Sequence, residues 1–354
     1  MTSGPLRARL PDGRWHFQHG PIDLIIDATG DPAACDDALQ VAWRRFQPLL
    51  AELAAELPEL RRDSREHPVV RGPVARRMVD ACAPLAEHFD LFLTPMAAVA
   101  GAVAEELAQA FERPGVRRAL LNNGGDIAVV LAPGESSWVG VVTDPGAPPL
   151  AARFAPAPAA RFTPALAASF ELRAHDRARG VATSGWRGRS LSLGIADSAT
   201  VLARSASRAD AAATLIANAV DAADPRIVRA PADSLRDGSD LGARLATVAV
   251  PPLPAATAAA ALDAGAAFAQ RCVDGGFVDA ALLWLQRRHR AVGTVGAMRA
   301  IGADGMTGAA GTASAAEEVE AAGAGRTVGT ISAARFLPVA DAANGVPAPS
   351  PSEA

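Results

Sequence analysis

The stretch ALLNNGGDIAVVL, residues 119–131, sets two short apolar runs on either side of Asn122-Asn123-Gly124-Gly125-Asp126. Asn-Gly supplies the positive φ that a tight primed turn needs, so the segment reads as a β-hairpin. Working downstream, residues 138–142 (WVGVV) read as the next strand, followed by strand-like runs at 170–172, 190–193 and 199–202. Upstream, residues 15–17 and 24–26 flank a His19-Gly20-Pro21 turn and predict a second hairpin.

Helical periodicity frames these strands. Leu39, Phe46, Leu49, Leu50, Leu53 and Leu57 recur near helical spacing behind a cap at Asp36 or Asp37. Pro48 and Pro58 are expected to bend or end that helix. Further helices are predicted over 74–88, 97–111, 208–222, 256–271 and 278–288, with a strand over 246–250. Beyond residue 303 the composition turns to Gly, Ala, Thr, Ser and Glu and ends in PAPSPSEA. Few large apolar residues remain there to offset ordering entropy, so 303–354 reads as a low-complexity, disordered tail, with 327–337 as one candidate strand. Residues 1–302 then form the ordered domain.

Composition narrows the function. Half of the 354 residues are hydrophobic, enough for a large core, although much of that fraction is Ala, which buries little area. A formal net charge of −4, 5% aromatic residues and no Tyr argue against a nucleic-acid partner. The longest apolar run, 91–104, is 14 residues, short of the ~20 a bilayer span needs. The N-terminus lacks the apolar core of a signal peptide, so the expectation is a cytoplasmic protein with no membrane partner. Cys35, Cys82 and Cys272 are far apart, without a Cys-x-x-Cys pair, and suggest neither a disulfide framework nor a zinc site.

Four segments carry chemistry. At Gly124-Gly125 a backbone can approach a ligand closely, and Asp126 either bonds locally or faces that ligand. Residues 182–190 (ATSGWRGRS) form the densest polar cluster. Thr183, Ser184, Gly185, Arg187 and Arg189 suit a phosphate or pyrophosphate, or else a solvated loop whose arginines pair with acids. Asp210 and Thr214, four apart on a helix, are hard oxygen donors of the kind Mg²⁺ takes. An acid favoured by the helix dipole explains Asp210 equally. Residues 94–103 (TPMAAVAGAV) are a turn and a small-residue helix start, suited to close packing or to meeting an anionic ligand.

In this order the segments resemble the ApbE-like superfamily, whose founding members transfer FMN from FAD to a Thr or Ser hydroxyl. Residues 180–197 (GVATSGWRGRSLSLGIAD) and 94–103 resemble an uncharacterised branch of it in particular. The resemblance, which runs over roughly residues 5–295, implies Mg²⁺ at Asp210 and Thr214, completed by a backbone carbonyl at Ala97 or Ala98. It further implies FAD as ligand or substrate, lined by Asn123, Gly124, Gly125, Asp126, Thr183, Ser184 and Gly185, with Arg187 and Arg189 as extra phosphate clamps. Three departures stand out. Ala100 occupies the place of the transferases' Lys, Glu105 that of an Asp, and residues 193–197 replace a longer segment with a conserved His.

The resemblance therefore implies retained binding of a small phosphorylated molecule. One reading adds Mg²⁺-dependent pyrophosphate cleavage or FMN transfer. The other is a non-catalytic flavin or pterin carrier or accessory protein in cofactor or one-carbon metabolism. The expected fold is a single α+β domain with a mixed, largely antiparallel sheet flanked by helices. Its large, edge-rich sheet is compatible with a homodimer.

Overall fold

A computed structural model describes residues 4–142, 166–294, 298–301, 307–308 and 328–330. The first half of the chain supplies β1 (Leu6–Arg9), β2 (Trp15–His19), β3 (Ile22–Gly30), α1 (Pro32–Ala55), α2 (Leu57–Leu60), α3 (Pro73–Phe89), α4 (Val99–Ala108), β4 (Val116–Asn123), β5 (Asp126–Leu131) and β6 (Ser136–Val142). The second half supplies β7 (Leu166–Arg173), β8 (Gly180–Ser184), β9 (Ser198–Ala203), α5 (Ala206–Ala219), β10 (Val228–Pro231), α6 (Ala232–Leu235), β11 (Leu245–Ala249) and α7 (Ala255–Asp274). The strands β12 (Ala280–Leu285), β13 (Arg288–Gly293), β14 (Met298–Ile301), β15 (Thr307–Gly308) and β16 (Val328–Thr330) follow.

Nine strands form one antiparallel sheet in the order β1-β2-β3-β4-β5-β8-β9-β12-β13. Its two faces are covered differently. Ala119, Leu121, Ala128, Ala182, Val201, Ala281 and Leu283 pack with α1, α3, α4, α5 and α7 in the main core. The alternate residues Leu120, Ile127, Val129, Val181, Leu202, Leu282 and Trp284 pack instead with Val139, Phe170 and Leu172. Those last three belong to a second sheet, ordered β15-β14-β7-β6-β16, in which β16 pairs parallel to β6 and makes it mixed. Alternation along each strand thus feeds two cores, and the α+β class expected from the sequence is what the chain adopts.

Several elements differ from the sequence expectations. Residues 278–288 are not a helix but β12 and its turn into β13. Every residue of Ala-Ala-Leu-Leu-Trp-Leu is buried because both faces are covered, and a continuous apolar run of that kind carries no period to separate strand from helix. Residues 190–193 are loop, whereas 182–184, the start of the polar cluster, belong to β8 between β5 and β9. The first long helix starts at Pro32 with Asp31 as its cap, accepting the Ala34 N–H, rather than at Asp36 or Asp37. Pro48 lies within that helix without ending it. Most of the expected tail, 303–354, lies outside the described residues. No helix among the described residues is long and apolar enough to cross a membrane. The three cysteines are buried free thiols on α1, α3 and α7.

Candidate functional site

Where α4 meets α5, the two helices touch backbone to backbone. A Cβ on Gly101 would collide with the carbonyl group of Ala206, so only glycine lets them come this close. The start of α4 has no cap of its own, and its residue Gly101 donates its N–H to Asp210 Oδ2 of α5 at 2.9 Å. The favour is returned at the start of α5. Glu105 of α4 accepts the Ser207 N–H at 3.2 Å and the Ser207 hydroxyl at 2.7 Å. Arg77 of α3 holds the other oxygen of Glu105 at 3.0 Å. Thr214 lies one turn beyond Asp210 on α5, half-buried. Ala97 sits in the 3₁₀ turn Pro95–Ala98, which packs against α5.

The β4–β5 turn reaches the same place. Gly124 and Gly125 take φ of +70° and +120°, and the Asn122 side chain accepts the Gly125 N–H at 2.8 Å. Asn123 is buried and uses both ends of its amide on backbone. It donates to the Ala100 carbonyl at 3.1 Å and accepts the Asp23 N–H at 3.2 Å, tying the turn to the start of α4. Asp126 opens β5 on the helix-facing side, 9% exposed, and accepts the Thr183 N–H at 3.2 Å.

Burial pushes the Asp126 carboxyl up to about 7, although the Thr183 N–H and the Arg189 charge pull the other way. Asp210 keeps some exposure as a residue, but its carboxyl is closely enclosed. That enclosure, and next the charge of Asp126, raise it well above the usual carboxylate range. Two carboxyls are therefore held beside one another, an arrangement that disfavours ionising both, and neither is in a salt bridge among the described residues.

The polar segment after β8 divides in two. Thr183 shares a hydrogen bond with Thr200 Oγ1 at 2.9 Å, and Ser184 ends the strand half-buried. Gly185 lies against the backbone of Ala196 and Asp197. Arg187 lies over the Trp186 ring, 4.9 Å from its centroid, with Nε 3.5 Å from Asp197. Arg189 goes the other way. Its guanidinium crosses Gly124 so closely that a side chain there would collide with it, and Nη1 lies 3.5 Å from the Pro21 carbonyl oxygen. Among the expected clamps, the structure brings Arg189 to the glycine turn and pairs Arg187 elsewhere.

Two further residues border the site: Thr94, which opens the segment 94–103, and Asp240, which carries no sequence signal. Thr94, just before the 3₁₀ turn, is buried and donates to Asp240 at 2.5 Å. Asp240 comes from the short loop 238–244, whose composition marks only a turn. Arg236, just before that loop, donates to the Arg189 carbonyl at 2.6 Å and so ties this part of the chain to the arginine at the glycine turn. Beneath them lies Cys82, whose thiol is pushed well up by burial and then by Asp210 and Asp240.

The donor set fits a hard divalent cation. Asp210, Thr214 and a backbone carbonyl of the 3₁₀ turn offer oxygen only, with Asp126 adjacent. No group of three or more His, Cys, Asp or Glu among the described residues is arranged to hold a metal. A cation held by oxygen donors of this kind would complete its shell from water or phosphate, which is the habit of Mg²⁺.

Comparison with known proteins gives the chain a family. A family model described as "AbpE bacteria" matches residues 7–300. A UPF0280 protein of Methanosarcina acetivorans is 32% identical over 220 residues, 61% of this chain and 75% of that protein. A second, from Methanothermobacter thermautotrophicus, is 34% identical over 168 residues, 44% of this chain and 52% of its own length. A third, from Methanopyrus kandleri, is 40% identical over 132 residues, 37% and 45% of the two chains. Apart from the Methanosarcina protein, the chain spans about half the length of the curated relatives it matches. The chain belongs to the ApbE-like bacterial family and is a relative of the UPF0280 proteins.

Proposed function

We propose that the protein binds a flavin nucleotide, FAD, together with Mg²⁺ in the cleft between the start of α4, the first turns of α5 and the β4–β5 turn. The observation that carries this reading is the Asp210 carboxylate, fixed by the Gly101 N–H beside the buried Asp126 carboxylate. Asp210 and Thr214 hold the cation with a carbonyl at Ala97. Arg189, crossing the Gly124 turn, takes a phosphate oxygen, and Thr183, Ser184 and Gly185 line the same wall. Gly125 leaves open space beside the turn, so a flat ligand can approach the backbone.

Mg²⁺ on a pyrophosphate neutralises the charge that develops when the bridging bond breaks, so cleavage of FAD or transfer of FMN is the reaction this arrangement supports. Ala100 favours a second reading, cofactor carriage without turnover. A small apolar side chain stands where the transferases carry Lys, and its carbonyl is already engaged by Asn123.

Incubation of the purified protein with FAD, with and without Mg²⁺, tests both readings. Bound flavin is followed by fluorescence and AMP by chromatography. Mg²⁺-dependent AMP release that disappears in Asp210→Ala supports pyrophosphate chemistry. Bound but intact FAD supports carriage. Absence of FAD binding in the presence of Mg²⁺ removes the proposal.

A further inference from the structure

The cation reading rests on Asp210, and what holds Asp210 in place lies one layer away. Ser207 and Asp210 are three apart on α5 and share a face; Gly101 and Glu105 are four apart on α4 and do the same. The two pairs meet crosswise. Gly101 N–H holds Asp210, and Glu105 holds the Ser207 N–H and hydroxyl. Glu105 is itself fixed by Arg77, which also reaches the buried Glu106 at 2.7 Å. Since the helices are in backbone contact at Gly101 and Ala206, a shift of the first turn of α5 moves Asp210 directly.

We propose that Arg77, Glu105 and Ser207 form a positioning relay that sets the Asp210 carboxylate for the divalent cation. Through its bond to the Gly101 N–H, Asp210 keeps Oδ2 pointed at the start of α4. Glu105 keeps the first turn of α5 at the depth that makes this bond possible. Its negative charge at the start of α5 also matches the partial positive charge of the helix end. This relay deepens the Mg²⁺ reading above and depends on it.

The test is direct Mg²⁺ binding to the full chain by calorimetry, without nucleotide, alongside thermal melts. Glu105→Gln and the milder Ser207→Ala are expected to weaken Mg²⁺ about tenfold, the range seen when the partners of metal ligands are removed. Arg173→Met is the control. It breaks the pair of Arg173 with the buried Glu171 on β7, in the second sheet and across the main sheet from α4 and α5, and so lowers the melting temperature without touching the relay. Its Mg²⁺ affinity should equal that of the wild type. Unchanged affinity in both relay variants, or an equal loss in Arg173→Met, overturns the relay while leaving the cation site standing. Absence of Mg²⁺ binding by the wild type overturns the cation reading itself, and the relay with it.

Discussion

Two arginines two residues apart have different surroundings, and the difference is decided by what each side chain meets. Arg187 has a ring beneath it and Asp197 beside it, so its charge is already matched within the loop. Arg189 crosses Gly124 toward Asp126 and Pro21. Arg189→Ala is therefore expected to weaken FAD binding about tenfold, the worth of one hydrogen bond to a charged group, and Arg187→Ala to leave it within about twofold. A flavin fluorescence titration of the two variants decides this; equal losses would return both side chains to the role of phosphate clamps. Gly124→Ala acts on the same contact from below. At φ +70° an alanine is strained by about 1 kcal/mol, and its methyl must displace Arg189. Lower FAD affinity with only a small fall in melting temperature is the expected result.

At the scale of elements, glycine again sets the geometry, because α4 and α5 can cross where they do only without a Cβ at Gly101. Gly101→Ala favours the helix locally, since alanine is the better helix former by about 1 kcal/mol. Forcing the Ala206 carbonyl away costs about 1–3 kcal/mol and tears the Gly101 N–H from Asp210. A lower urea midpoint and a loss of Mg²⁺ binding are expected together; a stabilised variant would mean the helices separate without cost. How far such features can be read in sequence follows the same physics. The hairpin over 119–131 was legible because Asn-Gly states its own turn chemistry, and the β2–β3 hairpin likewise. The strand β12 was not, since burial on both faces erases its alternation, and the positive φ at Gln286 and Arg287 that turns it into β13 comes from residues that rarely announce a turn. The placement of Asp210 and Thr214 one turn apart on a helix was legible through spacing. Asp240 and the pairing of Glu105 with Ser207 were not, because each joins segments that meet only when the helices pack.

On the scale of the whole molecule, the buried carboxylates make stability depend on pH in an unusual direction. Asp12, Asp63, Glu106 and Asp224, each beside an arginine, have carboxyls held low: burial raises Glu106, but Arg45 and Arg77 outweigh it. Such groups contribute stability that is lost as acid protonates them, below about pH 4.5. Asp126 and Asp210 act oppositely. Their folded-state pKa values lie above those of the unfolded chain, so the fold keeps protons that the unfolded chain releases from about pH 4 upward. Stability contributed by these protons is full below pH 4 and drains away as pH rises through about 7, where Asp126 ionises. In chelator, the protein should therefore melt progressively lower between pH 5 and pH 8, by an amount on the order of 1–4 kcal/mol in unfolding free energy. Asp126→Asn removes one of the two charges and should flatten that slope. Adding Mg²⁺ should raise the melting point more at pH 8 than at pH 5, because at the lower pH the cation must displace protons from the same oxygens. A wild-type slope retained in Asp126→Asn would assign the pH dependence to other groups. A Mg²⁺ shift independent of pH would separate cation binding from this carboxylate pair.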